Sequence, residues 1–151
     1  MIGQIHRAHR AAALASLATL AAPAMAGVVE FNFAAVGNSY SAFLGSDDPL
    51  VGKEIVAARI YLTVESFDGS DAANFWTDIT LPIQPLDGNT NFLYLAGADL
   101  GWSGSGTFHY FLETTELNGH FVPARWGAET PGFDFNGVIV DGSRVEIEYV
   151  P

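Results

Sequence analysis

The stretch LGWSGSG, residues 100–106, combines serines and glycines in a way that is typical of catalytic and phosphate-binding loops. A hydrolase nucleophile elbow needs Gly-x-Ser-x-Gly before a helix, but the residue two after Ser103 is a serine, and TFHYFLE predicts a strand. A phosphate loop needs glycines that open a helix, and usually a lysine, which is absent nearby. The sequence therefore predicts a flexible connector between two strands, with Trp102 folded back over the core.

The histidines and carboxylates show no tight catalytic or metal-binding spacing. His109 lies inside a predicted strand and His120 begins another, without an HxH, HxxxH or HExxH pattern. Seventeen acidic residues allow some pair to reach the separation of roughly 5–10 Å that glycosidases use. A carboxylate-based extracellular glycoside hydrolase is therefore a remote alternative, and we predict no catalytic residue.

Several loops carry the hard oxygen ligands that calcium prefers, and the segment from Asp68 to Asp71 is the best example. No loop has the twelve-residue spacing of an EF-hand. The ordinary turn chemistry of Asp, Asn and Gly explains the same residues equally well. A structural calcium held by Asp68 and Asp71 is a hypothesis, and no other cofactor is expected.

The aromatic residues are better candidates for binding. Trp76 and Tyr61 fall on the polar sides of their predicted strands, and Asp78 lies beside Trp76. A flat ring bordered by carboxylates and hydroxyls can stack on a sugar, because the apolar C–H face of the sugar meets the π system. Trp102 and Trp126 lie in or near loops and could add to the same platform, although large aromatic residues are usually buried.

Along the segments that must position these residues, apolar and polar side chains alternate with a period of two. The pattern is clear in residues 28–33, 54–66, 74–81 and 144–149, and residues 91–96 form a short apolar run. The dipeptides Asn118-Gly119 and Asp141-Gly142 lie between such segments and predict tight hairpins.

The whole pattern predicts one all-β domain over residues 27–151, an antiparallel β-sandwich with seven or eight strands. In such a sandwich each sheet buries one face against the other, so alternation is what the packing requires. Jelly-roll and immunoglobulin-like connections give similar strand patterns, and both stay open.

The first 26 residues predict a cleavable signal peptide. A weakly basic start with Arg7 and Arg10 precedes an apolar run of about a dozen residues, too short for a membrane-spanning helix, and Ala24-Met25-Ala26 resembles a cleavage site. We therefore expect a secreted or periplasmic protein with no membrane association after cleavage. The chain has no cysteine, so core burial rather than disulfide bonds must stabilise it.

The charge of the chain limits its partners. Six basic and seventeen acidic residues give a net charge of −11, and loss of the two leader arginines leaves four basic residues and a charge of −13. Such a surface repels polyanions, so we expect no nucleic-acid partner. Polysaccharides or cell-surface components are the expected partners, and the sequence does not indicate an oligomeric state.

The leader, the acidic cysteine-free composition and the Gly- and Phe-rich strand texture, including GVVEFNF, resemble small exported bacterial β-sandwich proteins of the PEP-CTERM-sorted kind. The sequence lacks the Pro-Glu-Pro motif, apolar helix and basic end of that sorting tail, so the resemblance assigns no anchor and no site residue. It implies a secreted, non-enzymatic protein of the extracellular matrix, of adhesion or of recognition. The alternative is a carbohydrate-binding module that uses surface aromatic residues.

Overall fold

The computed structural model describes residues 26–33, 42–86, 92–129 and 135–151, so nearly all of the predicted signal peptide lies outside the described residues. Within these ranges the chain forms eleven strands, one three-residue 3-10 turn and no α-helix. The strands are β1 (Gly27–Asn32), β2 (Ala42–Phe43), β3 (Glu54–Ser66), β4 (Trp76–Thr80), β5 (Ile83–Gln84), β6 (Phe92–Ala96), β7 (Gly106–Thr114), β8 (Gly119–Phe121), β9 (Arg125–Glu129), β10 (Gly137–Ile139) and β11 (Arg144–Tyr149). Seven of them have five or more residues, and four further strands of two or three residues bring the total above the predicted seven or eight.

The strands form two antiparallel sheets that pack against each other. The larger sheet has seven strands in the order β1-β11-β3-β8-β5, and β7 and β10 also pair with β3. The smaller sheet has four strands in the order β2-β9-β4-β6. The prediction of an all-β antiparallel sandwich is therefore confirmed.

The 13-residue strand β3 organises the larger sheet, because each of its edges pairs with two shorter strands in succession. Along one edge it pairs with β7 and then β8, and along the other with β10 and then β11. The predicted hairpins at Asn118-Gly119 and Asp141-Gly142 are therefore wrong. The long edge of β3 offers enough hydrogen-bonding positions for both members of each pair, so they follow one another instead of folding back.

The glycine in each of these dipeptides serves a purpose other than a two-residue hairpin turn. Gly119 lies inside β8 at φ +120°, where a Cβ atom would collide with the Gln84 carbonyl of β5. Gly142 belongs to the short excursion between β10 and β11. The gap that this excursion leaves beside β3 is filled by Ser143, whose Oγ accepts a 3.0 Å hydrogen bond from the Thr63 amide.

The alternation of β3 has one interruption. Ala58, Ile60, Leu62 and Val64 are buried as the sequence predicts. Val56 was expected on the same side, but it is exposed, and Ile55 is buried instead. The register with β11 shifts between Glu148 and Tyr149, which form pairs with Ala57 and Ile55. Val56 is therefore the extra residue of a β-bulge. Beyond the bulge, the inward and outward positions of β3 are exchanged.

The core between the sheets has two parts. The larger cluster includes Phe31, Ile60, Ile79 and Phe121, and the smaller one lies at the other end of β3 around Leu62, Val64 and Phe75. Alternate residues of β3 and β4 enter these clusters, and the residues between them point to the outside. The sandwich therefore has two outer faces, one for each sheet.

Candidate functional site

The loop that contains LGWSGSG connects β6 to β7, as predicted. The indole of Trp102 lies over the core, with ring centroids 5.9 Å from Phe75 and 5.3 Å from Phe108. Gly104 has φ +73°, and its amide donates a 2.8 Å hydrogen bond to Asp71 Oδ1. The loop therefore covers one end of the core, and Trp102 is partly buried against it.

Trp126 also faces inward. It lies on β9, and its ring makes edge contacts with Phe31 at 5.0 Å and Phe33 at 6.2 Å. A role of Trp102 and Trp126 in a binding platform stays a prediction. Both are apolar rings packed against a hydrophobic cluster, in keeping with the usual burial of tryptophan.

Tyr61 is on an outer face, but it is already in contact with other side chains. Its ring lies 5.1 Å from that of Phe111, its cross-strand partner on β7, and Arg144 of β11 lies 4.1 Å from its centroid on the other side. This arrangement combines an aromatic pair with a cation–π contact. Tyr61 belongs to the seven-stranded sheet, so it cannot share a surface with Trp76, which belongs to the four-stranded sheet.

The outer side of the seven-stranded sheet is held by ion pairs, and we call it the ion-paired face. Arg59 lies 3.6 Å from Glu113 and 3.5 Å from Glu148. Arg144 lies 2.9 Å from Glu146 and 3.9 Å from Glu30. The residues that define this face are Glu30, Arg59, Tyr61, Phe111, Glu113, Arg144, Glu146 and Glu148.

The outer side of the four-stranded sheet is different, and we call it the aromatic face, defined by Trp76, Asp78, Tyr94 and Glu129. Trp76 and Asp78 point outward from β4, because Phe75, Thr77 and Ile79 between and beside them are buried. Tyr94 of β6 is directly opposite Asp78 and is 56% exposed. The rings of Trp76 and Tyr94 stack, with centroids 6.4 Å apart and planes at 26°. The predicted candidates Trp76 and Asp78 are thus brought together.

Sequence reasoning missed Tyr94 and Glu129. Tyr94 lies in FLYLA, an apolar run in which no polar residue marks the outward positions. Its alternation with the partly buried Leu93 and Leu95 is the signal that could have found it. Glu129 is opposite Asp78 on β9, but β9 and β4 are more than forty residues apart in sequence, so their proximity needs the sheet order.

The predicted calcium ligands lie at the 3-10 turn Ala72–Asn74. Asp71 caps this turn, and its Oδ1 accepts hydrogen bonds from the amides of Ala73 at 3.0 Å and Gly104 at 2.8 Å. These two backbone hydrogen bonds lower the pKa of the Asp71 carboxyl, because they stabilise its charged form. Asp68 is exposed in the adjoining turn. In the described ranges no three His, Asp or Glu residues converge as metal ligands, and calcium here stays a prediction.

The two histidines of the domain lie on β7 and β8, which pair with different parts of β3. His109 Nδ1 is 3.0 Å from the Thr63 hydroxyl on the ion-paired side of the larger sheet. His120 is paired in register with Glu54 near the other end of β3. The structure therefore places them on separate strands, neither next to the other nor next to the aromatic face.

Comparison with known protein families, with curated proteins and with solved structures found no match to this chain. The described part of the chain contains no helix long and apolar enough to cross a membrane.

Proposed function

We propose that this chain is an exported, non-enzymatic recognition protein that binds carbohydrate through its aromatic face. The observation that carries the proposal is the stack of Trp76 on the exposed ring of Tyr94. Such a protein could serve in adhesion or in an extracellular matrix that contains polysaccharide.

The stack supports carbohydrate more than a purely structural role. Inside the sandwich, aromatic rings contact one another in the core and exclude water. On the aromatic face the two rings contact each other, but more than half of the Tyr94 surface stays in contact with water. The exposed Tyr94 ring, supported by Trp76, offers an apolar surface on which a sugar unit can stack, and the Asp78 carboxylate beside it can accept hydrogen bonds from hydroxyl groups.

The hydrolase alternative has less support. Asp78 and Glu129 lie opposite each other, so their Cβ atoms are about 5 Å apart, a separation from which a pair of catalytic carboxylates could be built. A general acid also needs an apolar, enclosed environment that keeps it protonated near neutral pH. Both side chains lie instead on the outward side of the sheet, next to water.

The test is binding of the purified domain, residues 27–151, to a panel of insoluble polysaccharides and soluble glycans. We expect the wild type to bind at least one of them, and Trp76→Ala and Tyr94→Ala to weaken binding at least tenfold, or about 1.4 kcal/mol. Tyr61→Ala is the matched control, because it removes an aromatic ring from the ion-paired face.

Two results would contradict the proposal. The first is the absence of binding to any glycan by a folded wild type. The second is equal loss of binding in Tyr61→Ala and Trp76→Ala, which would place the site elsewhere. Release of reducing sugar by the wild type, abolished by Asp78→Asn or Glu129→Gln, would favour the hydrolase instead.

A further inference from the structure

The aromatic face contains two carboxylates that have no cation between them. Asp78 of β4 and Glu129 of β9 are directly opposite in an antiparallel pair, and both are half-buried. Neither forms a hydrogen bond or an ion pair with another described side chain. Like charges directly opposite each other on neighbouring strands are destabilising. The arrangement therefore weakens the free protein, and stability does not explain it.

The ion-paired face shows how this chain compensates the same arrangement elsewhere. Glu30 and Glu146 are also directly opposite on neighbouring strands. There the Arg144 guanidinium contacts both carboxylates, at 3.9 Å and 2.9 Å. Two opposed carboxylates are thus bridged by a cation on one face and left without one on the other.

The nearest basic residue along β9 does not supply the missing cation. Arg125 is four residues from Glu129 on the same strand, which corresponds to about 13 Å at the rise of an extended chain. It is paired in register with Phe43 of the edge strand β2 and forms no ion pair with a described carboxylate. No described basic side chain therefore supplies a cation between Asp78 and Glu129, which leaves this position open to a cationic ligand.

The carboxylates lie next to the stacked rings, so one ligand can contact both. Tyr94, Asp78 and Glu129 form a single row across β6, β4 and β9, and Trp76 stacks on Tyr94 diagonally. A sugar ring on this stack would bring its substituents towards the carboxylates. A protonated amine there would form charge-assisted hydrogen bonds with both, and would also interact favourably with the ring faces.

We propose that the aromatic face selects an amine-bearing glycan, a chain of amino sugars whose amines are free and protonated. This inference rests on the proposed carbohydrate function and names its ligand class. Neutral sugars would leave the two carboxylates without a positive partner, and sugar acids would be repelled by them. N-Acetylation would remove the charge and should weaken binding.

The experiment compares glucosamine oligomers with N-acetylglucosamine oligomers of the same length by calorimetry, with the purified domain at low ionic strength. The pH is set above the ordinary carboxyl pKa of about 4 and low enough to keep the amines protonated. We expect the free amine form to bind at least tenfold more tightly. Asp78→Asn/Glu129→Gln should remove this preference and keep the weaker binding of the acetylated form.

Because the whole chain is acidic, the control must have the same net charge as the variant. The double variant Glu65→Gln/Glu113→Gln removes two carboxylates from the outer side of the other sheet, and it should keep the preference. Equal loss of the preference in both double variants would mean adsorption by net charge, and would overturn the inference. An oligolysine bound as tightly as the amino sugars, with the same dependence on Asp78, would also overturn it and indicate a basic polypeptide partner.

The outcomes separate this inference from the proposed function. Equal affinity for the two oligomers, both lost in Trp76→Ala, would overturn the amine preference and leave carbohydrate binding intact. Absence of binding to either oligomer and to every glycan of the wider panel would overturn both. Because Asn and Gln are nearly isosteric with Asp and Glu, the variants should fold, and their denaturation midpoints verify this.

Discussion

The two outer faces of the sandwich use the same elements, aromatic rings and carboxylates, in opposite ways. On the ion-paired face four glutamates contact an arginine, and Arg144 alone contacts Tyr61, Glu30 and Glu146. On the aromatic face the rings of Trp76 and Tyr94 stack on each other, and no described basic side chain pairs with the two opposed carboxylates. The ion pairs stabilise one sheet from outside, whereas the other sheet carries the face at which we propose that a ligand binds.

The largest expected effect tests which side chains at the start of β4 point into the core and which point outward. Phe75→Ala should lower the free energy of unfolding by about 3–5 kcal/mol, because this ring is 1% exposed and its loss leaves a cavity. Trp76→Ala, one residue away, should lower it by about 1 kcal/mol or less, since its side chain lies on the aromatic face. Urea denaturation of both variants measures the difference, and similar losses would contradict the outward position of Trp76.

The next effect separates paired from unpaired arginines. Arg144→Ala should destabilise the domain by about 1 kcal/mol, because it removes two ion pairs and the contact with Tyr61. Arg125→Ala should stay within about 0.5 kcal/mol of the wild type. The difference should shrink in about 1 M salt, where screening is strong. If Arg125→Ala is the more harmful change, the description of the two faces is wrong.

A smaller effect concerns the loop that closes the end of the core. The pKa of Asp71 is lowered in the folded protein, so the folded state binds this proton less readily than the unfolded chain. The stabilisation is complete above the ordinary carboxyl value of 3.8 and is lost as the pH falls through the lowered pKa. Asp71→Asn should therefore have a lower denaturation midpoint than wild type at neutral pH, and the two should converge in acid.

Asp68→Asn is the control for this variant, because Asp68 is exposed in the adjoining turn and accepts no hydrogen bond from a described residue. It should match the wild type at every pH. Titration with calcium tests the remaining prediction at the same place. A midpoint that rises with calcium in wild type, but in neither variant, would show that Asp68 and Asp71 are ligands.

The smallest effect has opposite signs on the two faces. Glu129→Gln should stabilise the free domain by a few tenths of a kcal/mol, because it removes the repulsion with Asp78. Glu148→Gln should destabilise it by a similar amount, because it removes the ion pair with Arg59. Thermal denaturation at low ionic strength measures both changes. A stabilising Glu148→Gln or a destabilising Glu129→Gln would remove the contrast between the faces.

The period of two was enough to predict the layers of the fold. It placed Phe75, Thr77 and Ile79 inside and Trp76 and Asp78 outside, and each is found there. This works because alternate residues of a strand always point to opposite sides of the sheet. The local alternation carries no information on which strand is the neighbour, and the assignments that depended on neighbours were the ones that failed.

Three such failures have the same physical origin. The two hairpins were predicted from dipeptides, but the edges of β3 compete with any local pairing and align both segments with it. Tyr61 and Trp76 were placed on one platform, although their strands belong to different sheets. The bulge at Val56 follows from the register with β11, far away in sequence. Pairing between strands that are far apart in sequence determines the hairpins, the platform and the bulge, and the turn residues do not.

The central position of β3 also has a consequence for how the chain acquires its structure. The Thr63 amide meets the Ser143 hydroxyl, 80 residues further along, and β1 pairs with β11. Contacts of such large sequence separation form slowly, because a long loop must close before they bring any gain. The larger sheet cannot be completed before residues 144–149 are available. Until then β1 and β3 lack the strand that lies between them in the finished sheet.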